Sequence, residues 1–187
     1  GPLMIWGENE FHPGCSNFFA VNYRNKTHQI FKDYQNTVLI IEDKVKTLSS
    51  SEGHKKMIKH PFLKDRINQA KKNLNKIINA ISIGDLQAFI KVVEHEAMTL
   101  HALMMSSEPP TILIKSKTLE VIELLKNFRE KEKIPVCFTL DAGPNVHLLY
   151  PDKYRFKVMK FIEEKLVYYC QNNLFINDKV GLGTKLL

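Results

Sequence analysis

Cysteine is scarce in this chain, tryptophan occurs once, and no long apolar run is present; each shortage narrows what the chain can be. The three cysteines, Cys15, Cys137 and Cys170, are an odd and widely spaced set. They give neither a disulfide framework nor paired metal-ligand spacing. The expectation is a reducing, cytoplasmic setting, Cys137 in a core strand, and no metal held by this chain. No stretch nears ~18 consecutive apolar residues, so no membrane-spanning helix is expected, and nothing near the start reads as a secretory signal.

Other signatures are missing as well. There is no serine-nucleophile elbow and no dinucleotide fingerprint; the one G-x-G, in "VGLGTK", lacks a strand before it and a helix after it. His95 and His101 stand six apart, which on a helix points them in different directions, unlike the four-residue spacing of a helical zinc pair. They read as structural or surface histidines. The formal charge of +7 invites a polyanionic partner, and much of the excess lies between His54 and Lys76. A solvated helix face explains that segment. Aromatic stacking platforms do not interleave with its lysines, which argues against nucleic acid and leaves a small phosphorylated ligand compatible with the charge.

What is present is a chain of 187 residues, 44% hydrophobic, enough for one domain with an appended segment. Gly1-Pro2-Leu3 reads as the scar left by a protease after tag removal, so the native part is expected to begin near Met4. Residues 4–36 are irregular, with "FFAVNY" a possible short strand; "TVLIIED", residues 37–43, reads as a buried strand. Between Pro61 and Ile81 the apolar residues Leu63, Ile67, Ala70, Leu74, Ile77, Ile78 and Ile81 keep three-four spacing, the mark of one helical face. Gly84 ends that helix and Asp85 caps the next, whose stripe is Leu86, Phe89, Ile90, Val93, Ala97, Leu100 and Met104. The Pro pair in "SSEPPT" stops it. A third helix runs over 118–132 with Leu119, Ile122, Leu125 and Phe128 inward. "PVCFTLDAGPNVHLLYP" reads as strand, turn and strand; Pro151-Asp152 opens a fourth helix with Phe156, Met159, Phe161, Ile162 and Leu166 on its apolar side. The tail from Tyr168 is ambiguous. This order predicts an α+β layer, helices against a small antiparallel sheet.

Two features could carry chemistry. In "SSSEG", residues 49–53, hydroxyls cluster before a helix start, where unpaired backbone N–H groups favour an anion and where capping is an equally good explanation. Asp141 sits in a hairpin turn between core strands. Asp is a common turn former, and a rigid turn is also where a catalytic carboxylate can be held.

"TLDAGPNVHLLY" resembles the aspartate-bearing turn of the diphosphomevalonate decarboxylases, "VLIIEDKVKTLSSSEGHKKM" their strand and serine loop, and "EHEAMTLHALMMSSEPPTILI" their helix ending in a His-Ala step and a Pro-Pro pair. The three come in the family's order over residues 35–187. The broader similarity is to the GHMP small-molecule kinases. The resemblance implies a GHMP-kinase C-terminal-type, ferredoxin-like domain at 37–187, with residues 4–36 connecting toward a nucleotide-binding N-terminal domain that has no counterpart here. It implies an ATP-dependent reaction on (R)-5-diphosphomevalonate: phosphorylation of the tertiary hydroxyl, then loss of phosphate and carbon dioxide to give isopentenyl diphosphate. Asp141 matches the catalytic aspartate, and Ser50 and Ser51 match hydroxyls that hold the substrate diphosphate. Gly143 would let backbone approach substrate, Pro144 would stiffen the turn, and Asn145 would be a turn residue. ATP and magnesium would be held mainly by the other domain, leaving this domain inactive alone. A homodimer is compatible, with no nucleic-acid or membrane partner. A mevalonate-derivative kinase without decarboxylation, or a non-catalytic binding module, would carry the same residues. His54 departs from the family, which often has Met there.

Overall fold

The computed structural model describes residues 3–8, 14–23, 26–42 and 57–181. In chain order its elements are β1 (Met4–Ile5), β2 (Val21–Asn22), β3 (Gln35–Leu39), α1 (Leu63–Ile83), α2 (Leu86–Met105), α3 (Ser116–Glu132), β4 (Cys137–Leu140), β5 (Val146–Tyr150), α4 (Arg155–Phe161) and β6 (Phe175–Lys179). The helix α4 continues through a π turn to Leu166. β1 and β2 form a small antiparallel ribbon.

The other four strands make one antiparallel sheet in the order β4-β5-β3-β6. Strand, helices, strand, strand, helix, strand is the ferredoxin-like succession, and it places the two central strands, β3 and β5, beside each other. Register follows the apolar alternation: Val38 stands opposite His147 and Ile176, and Leu39 opposite Val146. Period two sends Phe138, Leu140, Val146, Leu148 and Tyr150 to one face. There they pack with Val121, Ile122 and Leu125 of α3 and with Val158, Phe161, Ile162 and Leu166. Helices α3 and α4 therefore lie against this face of a small antiparallel sheet. Cys137 and Leu149 have the opposite parity and join a smaller cluster with Phe31, Tyr34, Ile81, Phe89 and Ile90.

The helix α2 runs along the outer strand β4. Its Glu94 accepts from the Phe138 N–H at 3.4 Å and forms a two-pronged ion pair with Arg129 of α3, while Arg129 also donates to the Val136 carbonyl at 3.0 Å. That arrangement covers the strand edge and ties α2, α3 and β4 together.

Several helical stripes differ from the predicted ones. Ile67 and Leu119 are each 46% exposed, and Phe156 is 83% exposed. On α1 Ile81 is buried as predicted, and Asn73 is buried as well, donating to Glu96 of α2, as does Arg66. A polar bridge thus joins the helix pair where apolar spacing foresaw hydrophobic contact. On α3 Ile122 and Leu125 are buried and Phe128 packs against the core as predicted, while Thr118 and Val121 are buried in place of Leu119. β6 was hidden in the ambiguous tail because "FINDK" is mostly exposed and carries no alternation to read.

The α1–α2 junction forms as its sequence requires. Gly84 takes φ +82°, and the Asp85 carboxylate accepts from the Ala88 N–H at 2.9 Å. A Cβ on Gly84 would lie 2.6 Å from the His28 ring. Gly84→Ala therefore adds left-handed strain to a steric clash, and a loss of about 1–2 kcal/mol is expected from the strain alone. Urea unfolding measures it; unchanged stability would show that the junction relaxes freely.

Candidate functional site

The hairpin between β4 and β5 turns over five residues, Asp141 to Asn145, and each end is fixed differently. The Asp141 side chain is exposed at the tip of β4, whereas Gly143 is buried. The Asp141 carbonyl accepts from the Gly143 N–H at 2.8 Å and lies 3.0 Å from Nε2 of His101 on α2. Proline has no N–H to offer, and the Pro144 carbonyl accepts from the Thr118 hydroxyl at 2.7 Å. Thr118 is fully buried in the first turn of α3, and its oxygen also accepts from the Lys115 N–H. The Asn145 side-chain oxygen accepts from the Ile41 and Glu42 N–H groups at 2.8 and 3.1 Å. One turn is thus bonded to α2, to α3 and to the segment leaving β3.

Ser50 and Ser51 lie outside the described residues; the described chain before them is bonded to this turn, and the described chain after them packs on α2. Ile41 and Glu42 are held by Asn145 on one side. On the other, Met57 is buried against Leu103 and Met104, close along α2 to His101. Lys115 lies 4.0 Å from Glu42, an exposed pair that solvent screens.

His101 is 1% exposed. A carbonyl can only accept, so the proton sits on Nε2, and Nδ1 has no hydrogen-bond partner. Burial pushes its pKa below the ordinary value, against the smaller opposing pull of the Asp141 carbonyl and carboxylate. His95 is exposed, so the two histidines do point apart. A second pairing, His60 with Ser106 at 3.1 Å, superficially resembles a base and nucleophile. His60 Nδ1 accepts from the Phe62 N–H and Ser106 donates to the Ala102 carbonyl, so Nε2 is the donor and no base is available. It is a structural clip. Among the described residues no three His, Cys, Asp or Glu side chains gather to hold a metal, and no helix is long and apolar enough to cross a membrane.

Sequence reading placed Asp141 and Gly143 correctly in one turn but left out its supports. His101 gave no signal beyond a spacing wrong for zinc. Thr118 looked like an ordinary helix start, and Asn145 like a turn former only.

Fold and turn together define an α+β domain of ferredoxin-like topology that presents a single carboxylate from a braced hairpin. The chain belongs to the mevalonate 5-diphosphate decarboxylase C-terminal domain family, whose model matches residues 36–181. Diphosphomevalonate decarboxylase of Ganoderma lucidum is 26% identical over 189 residues, 97% of this chain and 46% of that protein. Phosphomevalonate decarboxylase of Haloferax volcanii is 21% identical over 124 residues, 66% of this chain and 38% of that protein. Among solved structures, a mevalonate diphosphate decarboxylase from Legionella pneumophila is 28% identical with a TM-score of 0.70, covering 78% of this chain and 45% of that one. A structure of MDDEF in complex with MVAPP, AMPPCP and magnesium is 24% identical with a TM-score of 0.73, covering 85% and 47%, and shares the fold. This chain spans less than half the length of each of these proteins.

The lowered pKa of His101 has a consequence for stability. Above about pH 6.5 the imidazole is neutral in both the folded and the unfolded chain and contributes no pH dependence. Below it the unfolded chain takes up a proton that folded His101 resists, so stability falls as pH drops toward the lowered value. Urea unfolding of wild type and His101→Gln at pH 7.5 and 5.5 should show a steeper acid loss in wild type. Equal losses would mean that buried His101 titrates normally.

Proposed function

We propose that this chain is the substrate-side domain of an ATP-dependent diphosphomevalonate decarboxylase, and that Asp141 takes the proton of the substrate's tertiary hydroxyl as it is phosphorylated. Loss of phosphate and carbon dioxide then gives isopentenyl diphosphate. Membership of the decarboxylase C-terminal family supports this reading. The observation that carries it is the exposed Asp141 carboxylate on a turn braced by His101, Thr118 and Asn145, the last of which holds Ile41 and Glu42. Phosphoryl transfer depends chiefly on positioning and charge stabilisation, and a fixed carboxylate within hydrogen-bond reach of the hydroxyl meets that need.

Within this reading Ser50 and Ser51 bond the diphosphate, and Gly143, having no side chain, lets substrate come close to the turn. ATP and magnesium are assigned mainly to the remainder of the full-length protein. The cytoplasmic, mevalonate-pathway setting follows the same assignment, and the isolated domain is expected to be inactive. A second copy of the full-length protein is a compatible partner.

The match to phosphomevalonate decarboxylase makes the monophosphate the competing substrate, and comparing kcat/KM for the two decides between them. Assays on the full-length protein should follow carbon dioxide release as well as phosphorylation. Asp141→Ala should lower kcat by about 10²–10⁴-fold with little change in KM. Activity near wild type would make the turn purely structural, and a phosphorylated product without carbon dioxide would identify a kinase instead. Ser50→Ala or Ser51→Ala should raise the Kd for diphosphomevalonate by roughly 10–150-fold, the equivalent of one charge-assisted hydrogen bond. Unchanged affinity in both would remove the diphosphate role.

A further inference from the structure

We propose that His101 is a positioning residue that sets the bearing of the Asp141 carboxylate by holding the backbone carbonyl of Asp141. The inference rests on the reading of Asp141 as the proton acceptor and extends that site to a side chain that does not itself touch substrate.

The bond goes to the aspartate's own carbonyl rather than to a neighbouring one, and that choice matters mechanically. The carbonyl plane and the Cα–Cβ bond of one residue are related by its ψ torsion. Fixing the oxygen therefore fixes the direction in which the side chain leaves the turn. His101 at 3.0 Å and the Gly143 N–H at 2.8 Å together occupy both lone pairs of that oxygen. Rotating the Asp141 peptide would break both bonds at once. The imidazole is itself immobile, being 1% exposed on a helix of 20 residues whose Glu94 is locked to Arg129 and whose Ala97 is in the main core.

The choice of histidine points the same way. An apolar side chain of similar volume would fill the space without burying an imidazole Nδ1 that has no partner. The residue earns its place through the one bond made by Nε2. Methionine or leucine at this position would pack and leave the turn's carbonyl to move. Thr118, the other helix-borne support, bonds Pro144 three residues further on, so it anchors the turn without directing Asp141.

Three measurements test the proposal. First, nitrogen-15 NMR of the unaltered chain should show His101 as the neutral Nε2–H tautomer; the Nδ1–H tautomer would overturn the proposal without any variant being made. Second, amide exchange at Gly143, whose N–H shares the same acceptor, should rise about tenfold or more in His101→Leu and return toward wild type in His101→Gln. Gln places an N–H near the Nε2 position. Unaltered exchange in His101→Leu would overturn the proposal. Third, in the full-length protein His101→Leu should lower kcat by about 100-fold, the size of effect that a 1 Å misplacement produces. KM should stay within about twofold, and His101→Gln should recover most of kcat. A loss confined to KM, or an equal loss in Leu and Gln, would mean that His101 only packs. A wild-type full-length protein that turns over no mevalonate phosphate would instead remove the assignment of Asp141, and the tautomer and exchange results would still decide whether His101 holds the turn.

Discussion

Two carbonyls in one five-residue turn are each taken by a buried side chain from a different helix: Asp141 by His101 of α2, and Pro144 by Thr118 of α3. A hairpin of this length has few internal hydrogen bonds with which to hold itself. Left to solvent, its peptide groups would exchange partners with water and the tip would sample several bearings. Satisfying those carbonyls from the core side makes the turn part of the helical layer, and Asn145 extends the same bracing to the backbone leaving β3. A carboxylate on such a turn is exposed yet fixed, the combination that proton transfer to a positioned group requires.

The helix α2 links this local arrangement to the rest of the domain. Along its length it closes the edge of β4 through Glu94, enters the main core through Ala97, bonds the turn through His101 and buries the far flank of the serine loop through Leu103 and Met104. The i, i+3, i+4, i+7 periodicity of one helix thus places a structural ion pair, a core contact and a site contact in register. Displacing α2 would disturb the sheet edge and the Asp141 turn together. The geometry of one helix therefore ties the sheet edge, the core and the candidate site together, through neighbouring turns of the same rod.

Much of the architecture was legible because it is written locally. Gly84 and Asp85 mark a helix stop and start through backbone preferences that need no tertiary context, and both act as read. The hairpin was legible from alternating apolar residues around Gly, Pro and Asn. What escaped was decided by long-range polar contacts. Asn73 is buried because it and Arg66, both on α1, donate to Glu96 across the helix pair, an outcome that apolar spacing on α1 cannot foresee. Leu119 lost its inward place to Val121 because Thr118 had to reach Pro144, 26 residues away. His101 bonds a carbonyl 40 residues further along the chain, and no spacing rule reaches that far. β6 gave no pattern because an edge strand with one half-buried residue needs only a partner backbone, not an apolar face. The candidate site was thus half legible: its turn could be placed from the sequence, and the helix side chains that bond that turn could not.

The most direct test is a crystal structure of the full-length protein with (R)-5-diphosphomevalonate bound. An Asp141 carboxylate oxygen is expected within about 3.2 Å of the substrate's tertiary hydroxyl, with His101 still bonded to the Asp141 carbonyl. A substrate seated with that hydroxyl beyond hydrogen-bond reach of Asp141 would contradict the assignment at its centre.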